Sequence, residues 1–273
     1  MQVFDLPVHR VSSWIFNGYL VAIDEDHALM VDPGIPVVSD RLVAALRKDL
    51  GREDCKAVTV LATHGHSDHV GGVSHLCDTL GDTATEVFLP DLCRSYLAGE
   101  KPRRFGTLTA SVRFAPVWRQ QPFERRALAQ FASTARTAGY GANDRMTTDF
   151  DITGFLAGGD TIVGAPGWEV IHAPGHTDDS TCYYHRDSAT LLAGDAVATI
   201  DGRAWFNPEY VDLAASTETE ERLRSLDVRH LLPGHGLPIT ATNVWRSAIS
   251  ANEPPPGRGL LASCSRRFGR WTR

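Results

Sequence analysis

The sequence predicts an α/β protein in which strands outnumber helices. Apolar runs of strand length recur along the chain with turn residues after them, and some are separated by segments whose apolar residues fall at helical spacing. In order, Tyr19–Ile23, Ala28–Val31 and Ala57–Ala62 read as strands. Between the second and third, Val38, Leu42, Val43 and Leu46 share one helical face before Gly51. Val70, Val73, Leu76 and Leu80 predict a helix that starts at Asp68 and His69 and runs to Leu80. Glu86–Leu89, Trp168–Ile171, Cys182–Tyr184 and Thr190–Ala193 supply further strands. Thr217, with Glu220 three residues on, reads as the N-cap of a helix reaching Leu226.

Residues 100–150 break this rhythm. They hold seven aromatics (Phe105, Phe114, Trp118, Phe123, Phe131, Tyr140 and Phe150) against sixteen in the rest of the chain. Phe123, Ala127, Phe131 and Ala135 suggest an amphipathic helix ended by Gly139. The segment is read as a mainly helical insertion, either with a small core of its own or serving as a lid that lends apolar wall to a pocket. Residues 1–253 are then one domain, and 254–273, opening with Pro254-Pro255-Pro256 and rich in arginine, an irregular or disordered tail.

The chain has 273 residues, 42% of them apolar, which suits a globular enzyme. The N-terminus lacks a basic start followed by an apolar run, and no stretch approaches the roughly eighteen apolar residues of a membrane span. A soluble cytoplasmic protein without a membrane partner is expected. Cysteines 55, 77, 93, 182 and 264 form no C-x-x-C pair, which argues against a disulfide framework and a zinc-thiolate site. Net charge is −6, yet residues 100–150 carry nine Arg/Lys against four Asp/Glu. The tail carries five basic residues and no acidic one.

Seven potential metal ligands stand out: His64, His66, Asp68, His69, His176, Asp195 and His235. His64, Asp195, His176 and His235 follow directly on strand-like runs or their turns, an arrangement that lets distant residues converge on one sheet edge. His64 and His66 point the same way from an extended loop, and His176 completes a three-nitrogen face with an open fourth position. Asp68, His69 and His235 form a second set of mixed oxygen and nitrogen character, with Asp195 able to bridge the two. The donors suit zinc, iron or manganese. His75, His172 and His230 read as structural histidines. Cys182 reads as a small buried hydrophobe, and Tyr183 and Tyr184 as core aromatics.

The run His64-x-His66-x-Asp68-His69, followed by Ala173-Pro174-Gly175-His176, Gly194-Asp195 and Pro233-Gly234-His235-Gly236, resembles the metallo-β-lactamase superfamily of metal-dependent hydrolases. Met30-Val31-Asp32-Pro33-Gly34 is similar to that family's first motif, and the similarity covers roughly residues 15–240. The resemblance implies an αβ/βα four-layer sandwich of two mixed sheets flanked by helices, with the metals at one edge between the sheets. It makes Asp32 a supporting residue beside the site. Aspartate at 195 is similar to the hydroxyacylglutathione hydrolase, lactonase and tRNA-processing branch, whereas β-lactamases usually carry cysteine or serine there. The second domain of hydroxyacylglutathione hydrolases does not fit the 38 residues after His235.

The expected reaction is hydrolysis of a small ester, thioester or lactone by a hydroxide bridging two divalent ions, zinc foremost. Asp68 would orient that hydroxide and carry a proton to the leaving group. Two alternatives use the same residues: a mononuclear iron persulfide dioxygenase, and a nucleic-acid phosphodiesterase whose arginines at 100–150 grip phosphates. The acidic remainder of the chain disfavours nucleic acid as a partner, leaving a small-molecule substrate; a homodimer is compatible with the sequence.

Overall fold

The computed structural model describes residues 8–104, 107–141, 144–257, 259–269 and 271; Phe105 lies outside them. The first half runs β1 (Val8–Ser13), β2 (Phe16–Ala22), β3 (His27–Val31), α1 (Pro36–Ala44), β4 (Ala57–Leu61), α2 (Ser67–Val70), α3 (Val73–Leu80), β5 (Ala84–Pro90), α4 (Cys93–Leu97), α5 (Thr107–Phe114), α6 (Arg125–Thr134) and β6 (Gly154–Leu156). The second runs β7 (Trp168–His172), β8 (Thr181–His185), β9 (Thr190–Gly194), β10 (Val197–Ile200), β11 (Arg203–Phe206), α7 (Leu213–Arg224), β12 (His230–Pro233), β13 (Ile239–Thr240) and α8 (Leu260–Phe268).

Strands β1 to β6 form one sheet in sequence order, antiparallel over β1-β2-β3 and parallel from β3 onward. The other main sheet has the order β13-β12-β9-β8-β7, with β12 and β9 parallel. Parallel neighbours need a crossover, and α1 supplies it between β3 and β4, α2 and α3 between β4 and β5.

The two-residue period of a strand explains the layering. In β3, Ala28 and Met30 face α1 and α3, packing with Val38, Leu42, Val73 and Leu76, while Leu29 and Val31 face the other sheet. In β9, Leu192 faces back across the same gap, beside Tyr183 and Leu232. Leu191 and Ala193 point the opposite way, toward Leu223 of α7. Helix, sheet, sheet and helix therefore stack in four layers. Because both faces of the central strands are covered, they read as unbroken apolar runs. Each fully buried leucine or valine there contributes about 1.5–3 kcal/mol over an exposed one.

Several local expectations need correction. The helix expected from Asp68 to Leu80 is interrupted at Gly71-Gly72, where two residues of poor helix propensity divide it into α2 and α3. Helix α7 begins at Leu213, four residues before Thr217: Asp212 caps it, its carboxylate accepting from the N–H groups of Ala214 and Ala215. Thr217 lies inside the helix and donates its hydroxyl to Leu213 O. The tail is not irregular throughout. After the prolines, Leu260–Phe268 forms α8, which buries Ala262 and Ser265, and Ser265 Oγ bonds Arg113 O of α5 at 3.0 Å.

The insertion has no separate core among the described residues. Phe131 and Phe150 pack on the core between the first sheet and its helices, and Phe114 and Val117 on Ala198, Ile200 and Trp205. Glu124 ties its second helix to the body, bonding Arg41 and Ser13 at 2.9 Å each. Among the described residues no helix is long and apolar enough to cross a membrane.

Candidate metal centre

Each candidate donor follows a strand, Asp68 and His69 from within α2. β4 leads into His64, His66, Asp68 and His69, β7 into His176, β9 into Asp195 and β12 into His235. β4 belongs to the first sheet and the other three to the second, so the donors meet at the edge between the sheets.

All seven converge. The nitrogens of His64, His66 and His176 lie within 4.8 Å of one another, as do the donor atoms of Asp68, His69 and His235. His66 Nδ1 is 3.0 Å from His64 Nε2 and 3.3 Å from His176 Nε2. Asp195 stands between the two sets, with Oδ2 3.5 Å from His176 Nε2 and 3.3 Å from His235 Nε2. Its Oδ1 is 3.5 Å from His69 Nε2. Those last two atoms are buried and form no hydrogen bond among the described residues. A buried donor pair left this way costs free energy unless a cation joins it, so the residues fit a metal site.

The far sides of the rings are held by oxygen acceptors. His69 Nδ1 is 3.0 Å from Asp32 Oδ2, His176 Nδ1 2.6 Å from Glu209 O, and His235 Nδ1 2.8 Å from Ile15 O. Each bond fixes the ring and turns Nε2 toward the centre. Asp32 also accepts from the N–H and hydroxyl of Thr63, both at 2.8 Å, which orients the start of the histidine loop.

Burial, then the neighbouring His69 and His66, pull His64 well below the ordinary histidine range. Burial and His176 lower His66 to about 4, opposed by Asp68 and Asp179. Burial also acts against a charge on His69 and His235, but the surrounding carboxylates outweigh it. Asp32, Asp195 and Asp68 hold His69, and Asp195 and Asp68 hold His235, well above the usual value. One half of the centre is thus a cluster of neutral imidazoles, the other a set of carboxylate-paired ones.

Two features escaped the sequence reading. Tyr140 lies along the histidine loop like a short parallel strand, its N–H bonding Gly65 O at 2.9 Å and its carbonyl accepting from Ser67 N at 3.2 Å. Gly139 makes this approach possible, since a Cβ there would meet Gly65 O at 2.7 Å. Glu209 lines the site, and burial followed by the charge of Asp195 pushes its carboxyl up to about 8. No motif marks either residue. The structural assignments of His75, His172 and His230 agree with their bonds to Asp40, Asp178 O and Thr240. Tyr183 and Tyr184 spend their hydroxyls on Ala62 O and Asp227 O, both at 2.7 Å.

The centre opens into a cavity of about 570 Å³. Leu128, Phe131, Ala132 and Ala135 of the insertion form its apolar wall, with Arg136 and Tyr140 beside them. Asp68 is the most exposed of the acidic donors, at 17% against 4% for Asp195.

A family model described as "Metallo-beta-lactamase superfamily" matches residues 15–87 and 106–235. Among curated proteins, "Probable metallo-hydrolase YflN" of Bacillus subtilis (strain 168) is 24% identical over 265 residues, covering 89% of this chain and 88% of its own. "Uncharacterized protein ML0493" of Mycobacterium leprae (strain TN) is 28% identical over 214 residues, covering 77% and 80%. Among solved structures, TTHA1623 in a di-iron-bound form superposes with a TM-score of 0.52 at 23% identity, covering 85% of this chain and 93% of that one, a likeness of fold. The chain belongs to the metallo-beta-lactamase superfamily of metal-dependent hydrolases.

Proposed function

We propose that this protein is a binuclear hydrolase of a small ester, thioester or lactone. The observation that carries the reading is the convergence of seven donors on a cavity of small-molecule size with one apolar wall. His64, His66 and His176 would hold one divalent ion, and Asp68, His69 and His235 the other, with Asp195 shared between them. Bound there, zinc, iron or manganese supplies a water activated near neutral pH and an electrophile for the substrate carbonyl oxygen.

The chain's own groups do the remaining work. Asp68, which lines the cavity, orients the attacking water and carries its proton to the leaving group. The face of Leu128, Phe131, Ala132 and Ala135 receives the apolar part of the substrate and excludes water around the carbonyl. Aspartate at 195 supports the hydroxyacylglutathione hydrolase and lactonase side of the family over antibiotic hydrolysis.

Several basic residues of the insertion are engaged with the protein itself. Arg103 pairs with Asp178 and Asp212 at 3.2 Å each, and Arg113 bonds Gly269 O and Pro208 O. That weakens the case for a phosphate-gripping surface. The test is a panel of thioesters, lactones and aryl esters with metal-loaded protein and its Asp68→Asn variant. Turnover of at least one class, slowed about 100-fold or more by Asp68→Asn with part of its metal retained, is expected. Oxygen consumption with glutathione persulfide at one iron per chain, and no hydrolysis, would refute the proposal.

A further inference from the structure

Asp179 is fully buried, three residues after His176, and belongs to no ligand group. Its Oδ2 accepts the Gly65 N–H at 2.7 Å and the Cys93 thiol at 3.3 Å, while Oδ1 accepts the Tyr140 hydroxyl. Three donors from three segments converge on it, the ligand loop, α4 and the end of the insertion. An aspartate carboxylate offers acceptors only, and three converging donors suit that chemistry. Burial and Asp179 itself hold the Tyr140 phenol and the Cys93 thiol well above their ordinary values, so both stay protonated donors.

None of these partners is a cation, and no ion pair reaches Asp179 among the described residues. A buried charge without a counter-charge is costly. The Gly65 N–H ties this carboxyl group to the ligand loop. His64 and His66 flank that glycine, and the Tyr140 ring, 4.7 Å from the His66 ring, joins the same network. The set His64, His66 and His176 is made of neutral ligands alone, so an ion there keeps its charge except for what Asp195 shares. The other set contains Asp68 as well.

We propose that Asp179 is a positioning residue that supplies the missing counter-charge to the ion held by His64, His66 and His176, and fixes the Gly65 peptide between two of its ligands. The inference rests on the metal-centre reading above. It does not depend on which substrate is hydrolysed.

The test compares wild type with Asp179→Asn and Tyr140→Phe, using zinc at pH 7 in competition with a chromophoric chelator, and thermal unfolding with and without zinc. Asparagine fits the network sterically, because its amide oxygen can accept from Gly65 and Cys93 while its amide nitrogen donates to the Tyr140 oxygen. In Asp179→Asn, one of two zinc ions is expected to bind about 10- to 100-fold more weakly. The metal-free Tm should stay at or above that of wild type, since an unbalanced charge has been removed, and the rise in Tm on adding zinc should shrink. Tyr140→Phe keeps the charge and should keep both affinities. Unchanged zinc binding in Asp179→Asn overturns the proposal, as does a fall in metal-free Tm with both zinc affinities intact. A wild type that binds no divalent metal overturns the metal-centre reading, and this inference with it.

Discussion

Gly234 precedes the last donor of the centre, and an added methyl group there has a consequence that can be worked out in ångströms. An alanine Cβ at 234 would lie 2.4 Å from Asp195 Oδ1 and 2.8 Å from His69 Cε1. The backbone cannot retreat easily, because Gly234 N bonds Gly194 O at 2.8 Å and Gly234 O accepts from Asn17 N at 3.1 Å. The side chains must therefore give way, Asp195 by about 1 Å to reach ordinary contact near 3.4 Å. Productive sites tolerate displacements of only about 0.5 Å, and a 1 Å misplacement costs on the order of 100-fold in rate. Gly234→Ala should lose about 100-fold in kcat/KM and part of its metal, while overpacking lowers stability by only about 1–3 kcal/mol. Metal content by elemental mass spectrometry, hydrolysis rate and Tm together read this out. Gly202→Ala is the control: its Cβ meets nothing within 4 Å, and only its positive φ of 73° resists the change. Wild-type metal content and rate in Gly234→Ala would refute the claim that the centre cannot absorb a displacement of Asp195 and His69.

Asp32→Asn removes an acceptor shared by His69 Nδ1, Thr63 N and Thr63 Oγ1, and should weaken metal binding about 10- to 100-fold; chelator competition measures it. The raised His69 and His235 predict proton release on metal binding. Without metal both rings hold their charge at neutral pH, and their contribution to folding stability is present below the unfolded histidine value and lost as pH rises through the folded one. Metal must displace those protons, so its affinity should fall as pH is lowered from 8 toward 6, which calorimetry in buffers of different ionisation enthalpy will detect. Leu192→Ala, in the core between the sheets, should cost about 2–5 kcal/mol with the metal centre intact, seen as a lower denaturant midpoint at unchanged metal stoichiometry.

Much of this fold is written in local periodicity. The strands from Tyr19 to Ala193 announce themselves because two apolar neighbours cover them, and the donors after β4, β7, β9 and β12 are visible as polar residues at the ends of apolar runs. What spacing cannot carry is contact at a distance. Asp179 looks like any loop aspartate until Gly65, Cys93 and Tyr140 are seen around it. Glu209 is likewise unmarked, and Tyr140 reads as one more aromatic of the insertion. Other misses were legible in principle. Asp201-Gly202, both at positive φ, is the turn of the β10–β11 hairpin, and an Asp-Gly pair between Val197–Ile200 and Arg203–Phe206 is a strong hairpin signal. The cap at Asp212 lost to Thr217 because the Thr217 and Glu220 spacing imitates a capping box within a helix already under way.

In the proposed hydrolase, Asp195 is shared between two metal ions. Metal identity and stoichiometry, measured in purified wild type and in Asp195→Ala alongside hydrolysis, test it most directly. Two equivalents of divalent metal per chain in wild type are predicted, with metal and activity lost together in the variant. Full activity in Asp195→Ala, or one equivalent of iron in a wild type that consumes oxygen and hydrolyses nothing, would contradict it.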